Sequence, residues 1–195
     1  VLGGIRRHVP PPRPTPEDVL RSAIQDAAPR TRLILQLAAE LGLRRSEIAT
    51  LHGRDLAHTD EGWTLTVEGK GGRTRVLPLT DSLAWELRKA GPTWIFPGQI
   101  DGHLSARWVS KLAARVLPAG WTLHSLRHRF ATTAYRHGGH DLLGVQQALG
   151  HGSVQTTQRY TAGAPSAIRA MTASAALTTT SINLHRKVTT MRISI

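Results

Sequence analysis

The sequence predicts an α+β fold that is mainly α-helical, with one small antiparallel β-sheet or hairpin. Three stretches carry that expectation. Leu33, Leu37 and Leu41 recur at helical spacing with Ile34 and Ala38 beside them, the apolar stripe of a helix that faces a core. Leu126, Phe130 and Ala134 repeat the same four-residue spacing later in the chain. Between these runs, Trp63 to Glu68 alternates Trp, Leu and Val with polar residues, the period of a half-buried strand. Gly71-Gly72 can form a two-residue turn that sends Arg73 to Leu79 back alongside it. No period of twenty to fifty residues recurs, so this is not a repeat architecture.

In order, Val1 to Thr15 is rich in Pro and Arg, which rules out a regular helix or inner strand and suits a linker or arm. The chain opens on Val1 rather than Met, and we read it as an excised fragment. Thr15 supplies an N-cap, Pro16 the first helical position, and Glu17 and Asp18 acids for the first turn of a helix running to about Ala27. A second helix starts at Thr31 and stops at Gly42. Ser46 or a neighbour then caps a short third helix that buries Ile48 and Leu51. Arg44 falls at this helix-to-helix junction, where a side chain can be aimed into a cleft, though alone it reads as a surface arginine beside a cap. Lys70 lies at or beside the hairpin tip. It is one of four lysines against 21 arginines, a bias that favours a specific task over a solvated charge.

Asp81 to Ala90 reads as a helix ended by Gly91-Pro92, and Trp94 to Phe96 as a short buried segment. The next helix, Ala106 to Val116, turns Val109, Leu112 and Val116 inward and displays Arg107, Lys111 and Arg115. The helix from His124 buries Leu126, Phe130 and Ala134, leaves His124, Arg127 and His128 on another face, and ends at Gly138-Gly139. Asp141 to Ala148 forms a further helix with Leu142, Val145 and Leu149 on its core side, closed by Gly150. His151 follows, Ser153 can cap the next helix, and Tyr160 falls near that helix's C-terminus. Ala164 to Ala176 is Ala-rich and helical in pattern, with Ile168 and Met171 on one side. Leu177 to Ile195 fits a disordered tail or an edge strand equally well.

Of the 195 residues, 40% are hydrophobic and 19% charged, which is globular composition. A formal net charge of +12 favours a polyanionic partner, nucleic acid or an acidic membrane surface. No apolar run reaches the length of a membrane span, and there is no signal-peptide core, so no membrane role is expected. The absence of cysteine excludes disulfides, thiol catalysis and Cys-ligated metal, and points to the cytoplasm.

The chemistry is concentrated in Thr122 to Thr161. His124 and Arg127, three residues apart at helical spacing, can face the same way, and His151 and Tyr160 follow within one short segment. Two imidazoles, a guanidinium and a phenol together can bind a phosphodiester, move its protons and attack its phosphorus. Tyr135 is the other tyrosine, but its place in the helix body near Phe130 suits a core or boundary role. His124 and His128 stand at i and i+4, a metal-binding spacing, yet no carboxylate adjoins them and no metal is expected.

H-S-L-R-H-R-F-A-T at His124 to Thr132, followed by L-G-H-G-S-V-Q-T-T-Q-R-Y-T at Leu149 to Thr161, resembles the tyrosine recombinase (phage integrase) family. G-L-R-R-S-E at Gly42 to Glu47 and G-K-G-G-R-T-R-V-L-P-L at Gly69 to Leu79 match two further boxes of that family in the same order. The resemblance covers Pro16 to Ala176 and implies the family's catalytic-domain fold. It implies that Arg44 and Arg127 bind the phosphate, permanently charged forks suited to its geometry. Glu47 would brace them. Lys70 would reach the minor groove and protonate the leaving 5′ oxygen. His124 and His151 would bond the nonbridging oxygens or handle the tyrosine proton, and Tyr160 would be the nucleophile. Arg73, Arg107 and Lys111 are expected to contact DNA.

The implied activity is that of a site-specific recombinase or integrase, cleaving and rejoining DNA through a 3′-phosphotyrosyl link without metal, cofactor or ATP. A type IB topoisomerase and a non-catalytic DNA-binding relic are the rival readings. The implied partners are a double-stranded DNA core site and sister copies, a tetramer on DNA and a monomer when free. The implied division is 1–15 as the arm from an absent N-terminal DNA-clamping domain, 16–162 as the catalytic domain, and 163–195 as a helix and tail that dock on a neighbouring protomer. The implied setting is a bacterial or phage-encoded cytoplasmic protein.

Overall fold

The computed structural model describes residues 13–69, 71–150 and 168–176, and its centre is α2 (Pro29–Glu40). Ile34, Leu35, Leu37, Ala38 and Ala39 are all buried. A helix this apolar on so many sides must be surrounded. It is packed by α1 (Glu17–Asp26), α5 (Ala106–Ala114) and, most extensively, α6 (Leu123–His137). α3 (Arg45–Ala49) lies against α5, and α7 (Leu142–Leu149) against α6. α4 (Asp81–Arg88) packs on the sheet, and a last helix, α8, covers 168–176.

The sheet has three antiparallel strands in the order β1 (Leu56–Thr59), β2 (Gly62–Glu68), β3 (Thr74–Pro78). Leu65 lies opposite Leu77 and Val67 opposite Arg75, and all four side chains are buried. Strand alternation therefore turns Arg75 to the same inner face as Leu77. β4 (Pro97–Ile100) lies outside this sheet and bridges to His103. β1 and β4 are absent from the sequence expectations because both are short and largely exposed, without alternating apolar residues. The mainly helical α+β class with a small antiparallel sheet is observed.

Several local expectations are corrected. Thr15 does not cap α1: its hydroxyl donates to the Ser125 hydroxyl at 2.9 Å and its N–H to the Ser125 carbonyl at 3.2 Å. The helix starts one residue later than expected, after an extended Pro16. Ser46 does not cap α3 either, because the cap position is Arg44 and its N–H is taken by the Glu47 carboxylate. In α5 the inner row is Val109 and Ala113, continued past the helix end by Leu117, with Leu112 and Val116 only partly buried. Leu142 is 59% exposed rather than on the core side. The inner face of α7 is set by Gly144, Val145, Ala148 and Leu149, where small residues let α6 and Met171 come close, and this turns Leu142 outward.

Gly42 and Gly150 end α2 and α7 in the left-handed region, with φ of +64° each. At Gly42 a Cβ would also meet Phe130 at 2.5 Å and Leu149 at 2.8 Å, so the junction needs glycine twice over. In the single chain, α8 buries Ile168, Met171 and Ala175, sets Met171 against Gly138 and Gly144, and pairs Arg169 with Glu61 at 3.7 Å. No helix among the described residues is long and apolar enough to cross a membrane. Lys70, His151, Ser153, Tyr160, the arm 1–12 and the tail 177–195 lie outside the described residues.

Candidate active site

The site begins with the turn between α2 and α3. Left-handed Gly42 reverses the chain, and Arg44 follows in extended conformation (φ −76°, ψ 153°) as the N-cap of α3. Glu47, one turn in, folds back. Its Oε2 accepts the Arg44 N–H at 2.8 Å and its Oε1 accepts Arg44 Nη1 at 2.8 Å. A carboxylate at this helix position satisfies one of the N–H groups that the first turn leaves open. Only 2% of the Glu47 side chain is exposed.

From β3, Arg75 enters the same place. Its Nη1 donates to Glu47 Oε1 at 3.0 Å and its Nη2 to Oε2 at 2.8 Å, the two-pronged geometry in which guanidinium and carboxylate bind best. Arg127 arrives from α6. It is 7% exposed, so it does not share the open face of His124 and His128 as the spacing suggested. Its Nη2 donates to the Leu149 carbonyl at 2.6 Å and its Nη1 to the Gly42 carbonyl. The inward turn follows from those two carbonyls, helix-end acceptors without an intrahelical partner.

The last turn of α7 joins all three arginines. The carbonyl of Ala148 accepts from Arg75 Nε at 2.7 Å, that of Leu149 from Arg127, and that of Gly150 from Arg44 Nη2 at 3.2 Å. Helix C-termini carry partial negative charge and unpaired carbonyls, and here three cations from three elements take three successive carbonyls. Gly150, the last of these acceptors, is the residue before His151 in the sequence.

Three guanidinium groups surround one carboxylate, leaving an excess of two positive charges. Burial pushes the Glu47 carboxyl up, but hydrogen bonds and charge from Arg75, then hydrogen bonds from Arg44, outweigh it and hold the group below its ordinary value. Arg127 is pushed down to about 10, first by burial and then by the positive charge of Arg44, with Glu47 opposing the shift. It stays a cation at neutral pH.

His124 stands in the first turn of α6, one turn before Arg127, on the exposed side. Its Nε2 is 3.0 Å from His128 Nε2, with the rings nearly perpendicular. One ring must offer a hydrogen and the other a lone pair. Among the described residues no group of three or more His, Cys, Asp or Glu is gathered as a metal site would require. Tyr135 lies toward the far end of α6, its ring edge-on to His140 at 5.1 Å.

Arg107 and Lys111 are exposed on α5, the helix that packs on α3. Lys111 and Arg115 lie 4.7 and 5.6 Å from the ring of half-exposed Trp108. Arg73 is exposed at the foot of the hairpin, its carbonyl accepting from Gly69 N–H at 2.7 Å. A shallow concavity of about 330 Å³ between Arg54, Trp63, Arg88 and Pro92 shares no residue with the arginine cluster.

Arg44, Glu47 and Arg127 are thus brought together. Arg75 is the member that sequence reading missed. Its signal was available: counting by two from inward-facing Leu77 puts a charged residue on the buried face of the strand.

The profile of the phage integrase family matches residues 15–166. The chain belongs to the phage integrase family. The tyrosine recombinase XerC of Xanthomonas campestris pv. campestris (strain B100) is 40% identical over 149 residues, 68% of this chain and 44% of the relative. Among solved structures, the integrase from mycobacterium phage Brujita matches with a TM-score of 0.71 and 31% identity, over 87% of this chain and 61% of that one. The XerH site-specific recombinase bound to its difH substrate matches with a TM-score of 0.59 and 26% identity, over 73% and 48%. The chain spans less than half the length of the curated relatives it matches. The integrase-family match takes in every candidate residue from Arg44 to Tyr160.

Proposed function

We propose that this chain is the catalytic part of a site-specific DNA recombinase that breaks and rejoins strands by transesterification. The observation that carries the reading is the arginine cluster, an excess of two positive charges held beside the α7 end that leads into His151. A phosphodiester repels nucleophiles by its own charge, and a preorganised cation field removes that barrier. Arg44 and Arg127 hold the nonbridging oxygens, with His124 and His151 as further donors and proton carriers. Tyr160 Oη attacks phosphorus, losing its proton to an imidazole. The bond from phosphorus to the 5′ oxygen breaks, and Lys70 gives that oxygen a proton. A 5′-hydroxyl then reverses the step and releases Tyr160. The phosphotyrosyl link conserves the bond energy, so neither ATP nor a metal ion enters.

The named activities of the relatives, recombinases and an integrase, support this reading over topoisomerase or relic. The substrate is double-stranded DNA with a core site, as the XerH complex with difH suggests. Arg73, Arg107 and Lys111 contact its backbone. We further assign 1–15 as an arm from a DNA-clamping domain, 16–162 as the catalytic unit, and 163–195 as the part that exchanges with a neighbouring protomer in a tetramer on DNA. The setting is the cytoplasm of a bacterium.

Covalent capture tests the reading. The chain is incubated without metal with a pool of nicked duplexes of randomised core, and denaturant-resistant adducts are recovered and sequenced. Adducts abolished by Tyr160→Phe and kept by Tyr135→Phe are expected. Retarded DNA with no adduct at any sequence would sink the proposal.

A further inference from the structure

Glu47 has four hydrogen bonds, two from Arg44 and two from Arg75. The cap on α3 calls for a long side-chain acceptor at this position, and a carboxylate accepts more bonds than an amide can. Its negative charge comes with that choice and lies against Arg44. With Arg44 as its sole partner, Glu47 would cancel the charge that a phosphate must find.

The two arginines are placed differently. Arg75 commits all three guanidinium nitrogens within the protein, both prongs to Glu47 and Nε to the Ala148 carbonyl, with 9% of its side chain exposed. Arg44 gives Glu47 only Nη1 and is 36% exposed. Its Nη2 contact to Gly150 is the longest in the cluster, at 3.2 Å.

We propose that Arg75 is a positioning residue of this site: by serving as the counter-ion of Glu47, it leaves the Arg44 guanidinium uncompensated for a phosphodiester. The inference rests on the strand-transfer reading above. Arg75 also sits five residues after Lys70 on the hairpin, so the strand that follows the general acid is tied to the phosphate-binding pair through one buried ion pair. The direction of the Glu47 carboxyl agrees, since Arg75 is the strongest influence holding it ionised against burial.

The test is single-turnover adduct formation on a nicked duplex taken from the captured pool, followed against DNA concentration. It compares the unaltered chain with Arg75→Met, Arg75→Lys and the double variant Arg75→Met/Glu47→Gln, at a temperature where circular dichroism shows each folded. Removing a buried counter-ion is costly to the fold, and the last two variants avoid that by restoring the charge balance. Arg75→Met should lower the maximal rate on the order of a hundredfold, as misplacement of a binding group does, with apparent DNA affinity unchanged. Arg75→Lys and the double variant should react within about tenfold of the unaltered chain. If Arg75→Met does not fold, these two alone decide.

The proposal is overturned if Arg75→Met is folded and cleaves normally, or if its loss is in affinity rather than rate. It is also overturned if Arg75→Lys and the double variant, both folded, fall a hundredfold or more below the unaltered chain. Failure of the unaltered chain to form any adduct would remove the strand-transfer reading and this one together, whereas a reactive parent with an equally reactive Arg75→Met removes this one alone.

Discussion

Glu47 shows how one buried residue ties stability to pH. Its folded pKa lies below the ordinary 4.5, because the guanidinium groups of Arg75 and Arg44 outweigh the cost of burial. A carboxyl of this kind stabilises the fold above its unfolded pKa, and that contribution is lost as pH falls through the lower, folded value. Thermal unfolding between pH 7 and pH 3, about the range that brackets ordinary carboxylates, should therefore show a decline on the acid side. Glu47→Gln should be less stable at neutral pH and should flatten that decline; an unchanged acid slope would mean that other carboxylates cause it. Arg127, pushed down to about 10, contributes no titration near neutrality and remains a cation throughout this range.

At the scale of elements, the end of α7 is a junction where three chain segments meet. Gly150 makes it possible. Its φ of +64° is strained for any residue with a Cβ, and that Cβ would lie 3.0 Å from Arg75 Nη1. Gly150→Ala should cost roughly 1–2 kcal/mol, the left-handed penalty, and lower Tm by about 2–8 °C for a chain of this size. A calorimetric scan measures it, and the adduct-forming rate should fall as well, because the carbonyls that hold Arg44, Arg75 and Arg127 shift. No change in Tm would show that the helix end relaxes freely and that the three-arginine clamp does not constrain it. The same junction explains why α6 turns Arg127 inward. The Gly42 and Leu149 carbonyls wait there without helical partners, and helix periodicity alone cannot register them.

For the whole molecule, a net charge of +12 suits a polyanionic partner. α5, which carries the exposed cations Arg107 and Lys111, lies against α3, the helix that Arg44 caps. Anisotropy titrations of a labelled duplex at several salt concentrations should give a steep log–log slope. Arg107→Ala/Lys111→Ala should reduce it by about 0.9 for each phosphate contact removed, while leaving the covalent step at saturating DNA intact. A slope that does not move would place the DNA on another face.

The sequence by itself determined the family, the helical character with one hairpin, and the identities of Arg44, Glu47 and Arg127 as neighbours in space. The helices and hairpin rest on local periodicity, whereas the family and the grouping of these three residues rest on the resemblance of their boxes to the family's motifs. It did not determine which way Arg127 and Leu142 turn, nor that Thr15 bonds Ser125 instead of capping a helix. Arg75 escaped for the same reason. Its partners lie 28 residues before it and 73 after it, and strand alternation, which marks it as inward-facing, does not say which acid and carbonyl satisfy it there. Long-range hydrogen bonds decided these points, because polar groups removed from water go wherever a partner exists, and no short stretch of sequence records where that partner will be.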